Sequence, residues 1–468
     1  MNVQSPLRPP KVPVSGLRNR LAAAVETVMV GQRHRLVWVH AAMFLGFLVV
    51  IAVPAALPAQ VGPRYGAVAR YLLWGVWFPL VFLSVVFTGR SWCGLLCPMG
   101  AASEWTNRIG LRRPIPRWLR WEGTPIVSFL IVTVLGQTLG VRDHADGAAV
   151  LFGGTMAAAL LVGFLYGRRK RAWCRHACPI GLLLGVFARL GAVDFEQRHG
   201  GRGRDEGYTE RGVCPTMINL ARKSESRHCI ECFRCVNPKA SGGMHVRLRR
   251  PGAEVEEIRR HHANAAEVWF LFLGTGAALG GFLWLALPQF DGWRQAIGEW
   301  ALAQGWTVLL TPGPSWLMSV HPAQHEVFLW LDFVMIAGFM LASSGLMAAL
   351  LAPLTAVAAL VARPRAAAGD RAGRFAGRFV ALGYQYAPVA MVSLLIGLGG
   401  QLFAPLGAGA GAAKGALFMI GLIWSVWLDW RILAGEGTSL GRRALALLPG
   451  MVGSLAIGLG WWPAIFGL

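Results

Sequence analysis

The stretch GRSWCGLLCPMG, residues 89–100, follows a long apolar run and holds two cysteines with three residues between them, then proline. The segment GRRKRAWCRHACPIG, residues 167–181, repeats this arrangement after another apolar run. With an offset of 81 residues, the conspicuous side chains of both stretches coincide. The coinciding pairs are Arg90 with Arg171, Trp92 with Trp173, Cys93 with Cys174, Cys97 with Cys178, Pro98 with Pro179, Gly100 with Gly181, Arg108 with Arg189 and Gly110 with Gly191. The chain therefore contains an internal repeat of two apolar helices, a cysteine turn and a short amphipathic helix.

Apolar runs of bilayer length dominate the rest of the chain. Of its 468 residues, 55% are hydrophobic and 15% charged, and several runs of about 20 apolar residues match a bilayer core. This composition predicts an all-α polytopic membrane protein. We predict about nine transmembrane helices, and we interpret the first as a retained span because it is too long for a signal peptide. The predicted spans are 36–57, 70–88, 124–141, 148–166, 266–287, 326–350, 377–404, 413–431 and 443–465.

The formal net charge of +22 follows the same pattern of spans. Arginine-rich connecting segments alternate with arginine-poor ones, and basic residues accumulate on the cytoplasmic side of membrane proteins. The alternation predicts a bacterial inner-membrane protein with a cytoplasmic N-terminus and a periplasmic C-terminus. The sequence contains no aromatic-rich basic motif typical of RNA binding, so we exclude nucleic acid as a partner.

The repeat predicts where its cysteines meet. An even number of spans per unit makes the two copies parallel, related by an axis along the membrane normal. This axis would bring Cys93 and Cys97 face to face with Cys174 and Cys178. The second cysteine of each pair precedes a proline suited to a first helical position, where the helix dipole favours a thiolate or an anionic cluster. The basic residues nearby are Arg90, Arg168, Arg169, Lys170 and Arg171.

We predict that these four thiols form one iron–sulfur or other metal centre. Two alternatives remain open at this point. The pairs could have separate roles, or the four cysteines could be structural thiols that serve packing alone.

The other four cysteines resemble a ferredoxin motif. CIECFRC, residues 229–235, has the C-x2-C-x2-C spacing that wraps three thiolates around a cubane cluster. A ferredoxin would add a fourth cysteine downstream, where this chain has Lys239. Cys214, which precedes Pro215, is the candidate for that ligand. We therefore predict a [4Fe–4S] cluster on Cys214, Cys229, Cys232 and Cys235, with tetrahedral zinc as the competing interpretation.

Together these motifs resemble the membrane polyferredoxins of the NapH, NosR and CcoG type, over roughly residues 36–250. The resemblance implies electron transfer linked to respiratory or cofactor-maturation systems. The chain departs from that pattern in having one ferredoxin motif, no NosR-like N-terminal flavin-binding domain, and an additional C-terminal half. We divide it into a cytoplasmic segment 1–35, a four-helix membrane domain 36–195, a cytoplasmic iron–sulfur segment 196–265 and a C-terminal membrane domain of about five helices, 266–468.

We expect an inner-membrane iron–sulfur electron-transfer protein that relays electrons between a cytoplasmic or quinone donor and a membrane or periplasmic redox partner. One alternative is a factor that reduces or delivers a metal, such as copper, during assembly of a periplasmic or membrane oxidoreductase. A redox sensor is the other. The sequence contains no P-loop, G-x-S-x-G or H-E-x-x-H motif, so any chemistry it performs is the movement of electrons.

Some polar residues lie within or beside the predicted spans. His321, His325 and Asp332 would share one face of a helix that begins at Pro322. We interpret them as a capped helix start, with a docking, metal or quinol-proton site as the alternative. His40 is interpreted as a hydrogen-bonded helix residue. Neutral groups expected to bond helix to helix are Tyr384, Gln385 and Tyr386.

Overall fold

The computed structural model describes residues 17–57, 66–167, 170–197, 213–236, 244–362 and 371–466. It is 76% helical and contains almost no sheet, which confirms the predicted all-α polytopic architecture. Parts of the predicted segments 1–35 and 196–265 lie outside the described residues, as do Arg168, Arg169 and Lys239.

The first half of the chain consists of helices that lead into and out of the two cysteine turns. They are α1 Leu17–Gln32, α2 Leu36–Ala56, α3 Gly66–Thr88, α4 Ser91–Leu95, α5 Pro98–Ile109, α6 Arg117–Arg120, α7 Thr124–Thr138, α8 Ala145–Leu165, α9 Ala172–His176 and α10 Pro179–Ala188. In both copies of the repeat a five-residue helix ends before the second cysteine. Cys97 and Cys178 are extended N-cap residues, and the prolines after them begin α5 and α10.

The segment between the two halves adds a small sheet. Strand β1, Val193–Gln197, pairs antiparallel with β2, Met244–Leu248. Helix α1 packs on β2, where the buried Glu26 carboxylate accepts a hydrogen bond from the Val246 amide, 3.1 Å. The sequence analysis did not predict α1. The apolar side chains of this helix pack on β2, a partner that lies more than 200 residues later in the chain. Helix α11, Ala253–Glu256, follows the sheet.

The second half of the chain is a helical bundle with a small hairpin at one end. Its elements are α12 Ala265–Ala286, α13 Pro288–Ala303, β3 Val320–His321, β4 Glu326–Val327, α14 Trp330–Val361, α15 Arg371–Gly383, α16 Ala387–Leu398, α17 Gly400–Phe403, α18 Ala410–Gly435 and α19 Leu440–Phe466. One hydrophobic core runs through both halves, from Phe82 and Phe187 to Phe272 and Trp461.

Among the described residues, eight helices are long and apolar enough to cross a membrane. The remaining predicted span, 124–141, is α7, whose 15 residues cover about 22 Å at 1.5 Å per residue. Its two ends nevertheless reach opposite ends of the bundle. Glu122, just before α7, accepts a hydrogen bond from Asn264 at the start of α12 (2.7 Å). At the other end, Thr138 donates to the carbonyl of Leu317, in the segment that follows α13 (2.9 Å).

The two halves are joined by ion pairs around Arg189. Its guanidinium is fully buried and pairs with Glu254 (2.8 Å) and Glu267 (2.7 Å). Tyr384 donates a hydrogen bond to the same Glu267 carboxylate (2.6 Å). The equivalent residue of the first copy, Arg108, is exposed. The repeat is therefore asymmetric at this position, because the C-terminal helices cover the second copy.

The prediction that His321, His325 and Asp332 share a helix face is wrong. Pro322 begins a short 3-10 turn between β3 and β4, and His325 adopts a left-handed conformation with φ 57°. Helix α14 begins only at Trp330. Asp332 caps that helix by accepting from the Leu329 amide (2.7 Å) and forms an ion pair with Arg294. The interpretation as a capped helix start therefore holds for Asp332, whereas His321 has other partners.

Candidate iron–sulfur sites

The membrane cysteine site, defined as Cys93, Cys97, Cys174 and Cys178, has a pseudo-two-fold arrangement. A Cβ placed on Gly100 would lie 3.1 Å from the Arg171 guanidinium. A Cβ placed on Gly181 would lie 3.5 Å from that of Arg90. Each copy thus sets its arginine against the glycine of the other copy. This is the exchange expected of two parallel repeats around one axis.

The thiols of both copies lie in one group at the centre of this arrangement. The Cβ position of Gly100 in the first copy is 3.4 Å from the sulfur of Cys174 in the second. Burial, together with the nearby Cys93 and Cys174, raises the pKa of Cys97 to about 12. Burial also raises the pKa of Cys178, with contributions from the other three thiols. The structure therefore brings together the two pairs, and all eight cysteines of the chain are free thiols.

Three buried donors around this site suit an anionic group. Arg90 is only 2% exposed, and no described carboxylate pairs with it; its guanidinium contacts the Arg227 carbonyl (2.5 Å) and the Cys93 sulfur (3.9 Å). A buried cation without a partner is costly. Arg90 Nε, Arg171 Nη2 and Trp173 Nε1 also have no hydrogen-bond acceptor among the described residues. An iron–sulfur cluster held by thiolates would supply both the negative charge and sulfur acceptors.

The ferredoxin loop site, defined as Cys214, Cys229, Cys232 and Cys235, surrounds one small cavity. Glu231 and Phe233 have φ of 49° and 58°, so the chain between the last three cysteines coils tightly. The Cys214 sulfur accepts from the Ile218 amide (3.4 Å). Next to it, Thr216 donates to the His228 carbonyl (2.8 Å), which ties the Cys214 segment to the loop. The displaced fourth cysteine is thereby brought to the other three.

The spacing of the described thiols differs from that around a single tetrahedral metal ion. Three thiolates on one tetrahedral zinc lie about 3.8 Å apart, given bonds of about 2.3 Å. Among the described residues, no group of three cysteine sulfurs lies within 4.8 Å of one another. Burial raises the pKa of Cys235 to about 12 and that of Cys174 to about 11. These thiols stay protonated at neutral pH until a metal displaces the protons.

The two sites are in direct contact. A Cβ on Gly94, within the first cysteine turn, would lie 2.0 Å from the Ile230 carbonyl and 3.0 Å from the Cys232 backbone. Arg171 spans the junction, donating to the Cys93 carbonyl (2.9 Å) and to Glu104 (2.8 Å). His40 contacts the Gly94 carbonyl (3.1 Å), which confirms its interpretation as a hydrogen-bonded helix residue.

An apolar cavity of about 220 Å³ adjoins the membrane cysteine site. Cys93, Cys97 and Cys178 line it together with aromatic residues from both halves of the chain. It extends to Gln137 and Arg142, at and beyond the far end of α7. Pockets of this kind, mostly apolar with few polar groups, are typical of small-molecule and cofactor sites.

Comparison with known protein families identifies the class of protein. The 4Fe-4S binding domain family matches residues 72–116 and 149–196, which are the two copies of the cysteine repeat. The chain is thus a multi-pass membrane protein whose cysteine repeat is similar to the 4Fe-4S binding domain family. No solved structure matches it.

Relatives among curated proteins point to a narrower group. An uncharacterized protein of Methanocaldococcus jannaschii is 28% identical over 33% of this chain and 63% of its own length. The ferredoxin-type protein NapH of Haemophilus influenzae is 28% identical over 43% of this chain and 78% of its own. The regulatory protein NosR of Pseudomonas aeruginosa is 25% identical over 34% of this chain and 26% of its own. These matches confirm the resemblance to the membrane polyferredoxins.

Sequence reasoning missed several residues of these sites. Glu104 pairs with both Arg171 and Arg234 (2.8 and 2.7 Å). In the sequence, only its position near a cysteine turn could have indicated this role. Burial opposes its ionisation, but the two arginines outweigh burial and lower its pKa. Arg90 and Arg171 were visible as basic residues. Their burial became apparent only when the two copies were placed against each other.

Proposed function

We propose that this protein carries single electrons between a membrane-soluble or protein donor and a redox partner. Cys214, Cys229, Cys232 and Cys235 would hold one [4Fe–4S] cluster, and Cys93, Cys97, Cys174 and Cys178 a second centre. Such a cluster supplies one-electron transfer when bound. The observation that carries the proposal is the backbone contact of Gly94 with Ile230 and Cys232, which places the two cysteine sets side by side.

The protein's own side chains adapt this pair of sites to electron transfer. Arg90 and Arg171 place buried positive charge beside the cysteines, and positive charge favours the more negative, reduced state of a centre. Glu104 fixes Arg171 between the two cysteine sets. The aromatic walls of the cavity keep bulk water from the membrane cysteine site, which lowers the local dielectric constant.

A quinone is the membrane-soluble partner that this cavity fits best. Its apolar walls suit an isoprenoid chain or a quinone ring, and Gln137 and Arg142 supply polar groups for ring oxygens. In this proposal residues 36–195 form the electron-transfer domain, 196–265 the cytoplasmic iron–sulfur segment, and 266–468 a membrane domain that completes the cavity. We place the protein in a bacterial inner membrane with the N-terminus in the cytoplasm and the C-terminus in the periplasm.

The proposal is tested by reducing anaerobically purified full-length protein with duroquinol or with dithionite. Duroquinol should bleach the visible absorbance of the wild type. Cys97→Ala should lose this response while dithionite still bleaches its remaining cluster. Cys232→Ala should lose about four irons, the content of one cubane. Zinc in place of iron, or quinol reduction unaffected by Cys97→Ala, would contradict the proposal. Stoichiometric copper binding without turnover would instead favour the assembly factor.

A further inference from the structure

A second group of ligating side chains lies at the end of the bundle opposite the cysteines. It comprises His144, the N-cap of α8, Asp146 in the first turn of that helix, and His321 in β3. Their ligand atoms all lie within 4.8 Å of one another. Glu326 in β4 is paired in register with His321. We call these four residues the histidine cluster.

Both imidazoles of the histidine cluster face carboxylates. The rings are stacked, with centroids 3.7 Å apart and an angle of 9° between planes. His144 Nε2 lies 2.9 Å from Glu326 Oε2, and His321 Nε2 lies 3.0 Å from Asp146 Oδ2. Among the described residues, the ion pairs of Asp146 and Glu326 are with these two imidazoles and not with an arginine or lysine. A divalent cation would bind the imidazole nitrogens and balance the two carboxylates.

The supporting contacts resemble those that orient metal ligands. Ser319 Oγ lies 2.9 Å from His321 Nδ1, leaving Nε2 of that ring toward the cluster. The Ser319 amide donates to the Thr138 carbonyl (2.7 Å), which fixes the hairpin on the end of α7. Gly140 packs against the histidine cluster on the side of His144, because a Cβ at Gly140 would lie 2.8 Å from the His144 ring. The side chain of Asp146 is 56% exposed, so an ion can enter from solvent.

We propose that the histidine cluster binds one divalent transition-metal ion, of the zinc class, through His144, Asp146 and His321, with Glu326 as an additional carboxylate. Imidazole nitrogens and carboxylate oxygens form the ligand set that zinc and its neighbours accept. The site contains no thiol and lies at the other end of α7, so it is independent of both cysteine sites. Its ligands come from positions about 175 residues apart, and a bound ion would clamp the two halves of the chain together.

The test counts zinc bound to purified full-length protein by equilibrium dialysis. Zinc on the cysteines is common to all variants and cancels in the comparison. The His144→Ala/His321→Ala double variant should bind one zinc fewer than the wild type. His325→Asn is the matched control, since His325 lies on the same hairpin, is exposed and stands outside the cluster; asparagine also tolerates its left-handed backbone. This control should bind as the wild type does.

A second variant keeps the test independent of folding. Asp146→Asn, at an exposed position, retains an oxygen acceptor for His321 but removes the negative charge of the ligand. It should lower the zinc affinity of this site at least about tenfold. Cobalt substitution should give ligand-field absorption that disappears in the double variant without loss of sulfur-to-cobalt bands. Equal zinc content in the wild type and both cluster variants would overturn the proposal. The histidine cluster would then only hold the hairpin in place through hydrogen bonds.

Discussion

The backbone of Gly94 lies against the carbonyl oxygen of Ile230, so closely that a Cβ at Gly94 would be 2.0 Å from that oxygen. Gly94→Ala should therefore push the first cysteine turn away from the ferredoxin loop site and lower the free energy of unfolding by about 1–3 kcal/mol, as overpacking does. Thermal unfolding followed by circular dichroism in detergent measures this. Gly46→Ala, in α2 with nothing within 4 Å, should be neutral or slightly stabilising. Equal melting temperatures for both variants would contradict the contact.

The membrane cysteine site should behave as one unit. Cys97→Ala and Cys178→Ala should each remove the iron of this site and stop electron transfer, and the double variant should be no worse than either single one. Strong non-additivity is expected of residues that serve one centre. Iron content and quinol-dependent bleaching measure it, while Cys232→Ala should spare this site. Partial losses that add up would show that the two pairs act separately.

Arg90 should tune the reduction potential of the membrane cysteine site. It is buried beside the Cys93 sulfur without a described carboxylate partner. Arg90→Met removes positive charge that favours the reduced state and should lower the midpoint potential by about 60 mV, if the charge contributes about 1.4 kcal/mol. Potentiometric titration followed by electron paramagnetic resonance gives the value. Arg108→Met, at an exposed arginine of the same repeat, should leave the potential unchanged. A potential that rises in Arg90→Met would refute the role.

His176 predicts how stability depends on pH. Burial, together with the positive charges of Arg175 and Arg120, lowers its pKa from the ordinary 6.5 to about 4. Between these values the unfolded chain binds a proton that the folded chain does not, so stability falls as pH falls through this window. His176→Gln should flatten the decline of melting temperature between pH 6.5 and 4. His34→Gln, at an exposed histidine, should retain the wild-type slope. An unchanged slope in His176→Gln would count against a half-buried neutral ring at this position.

The sequence was informative where structure is determined locally. Pro98 and Pro179 begin helices as predicted, because proline at a first helical position needs no partner elsewhere. The position of His321 could not be predicted in this way. Its hairpin is held by Thr138, nearly 180 residues earlier, and that contact outweighs the helical spacing of the histidines. The same holds for Arg189, which the sequence could not distinguish from Arg108 until the C-terminal helices covered one copy.

Glu267 of α12 is connected to the first cysteine turn through Arg227. The Arg227 side chain pairs with Glu267 (2.7 Å), and the Arg227 carbonyl accepts a hydrogen bond from the Arg90 guanidinium. Glu267 lies outside both stretches that match the 4Fe-4S binding domain. In a genetic screen for loss of function, substitutions at Glu267 would nonetheless group with those at Arg90. Second-site suppressors of a weakened Arg90 contact would be found in the half of the chain that contains no cysteine.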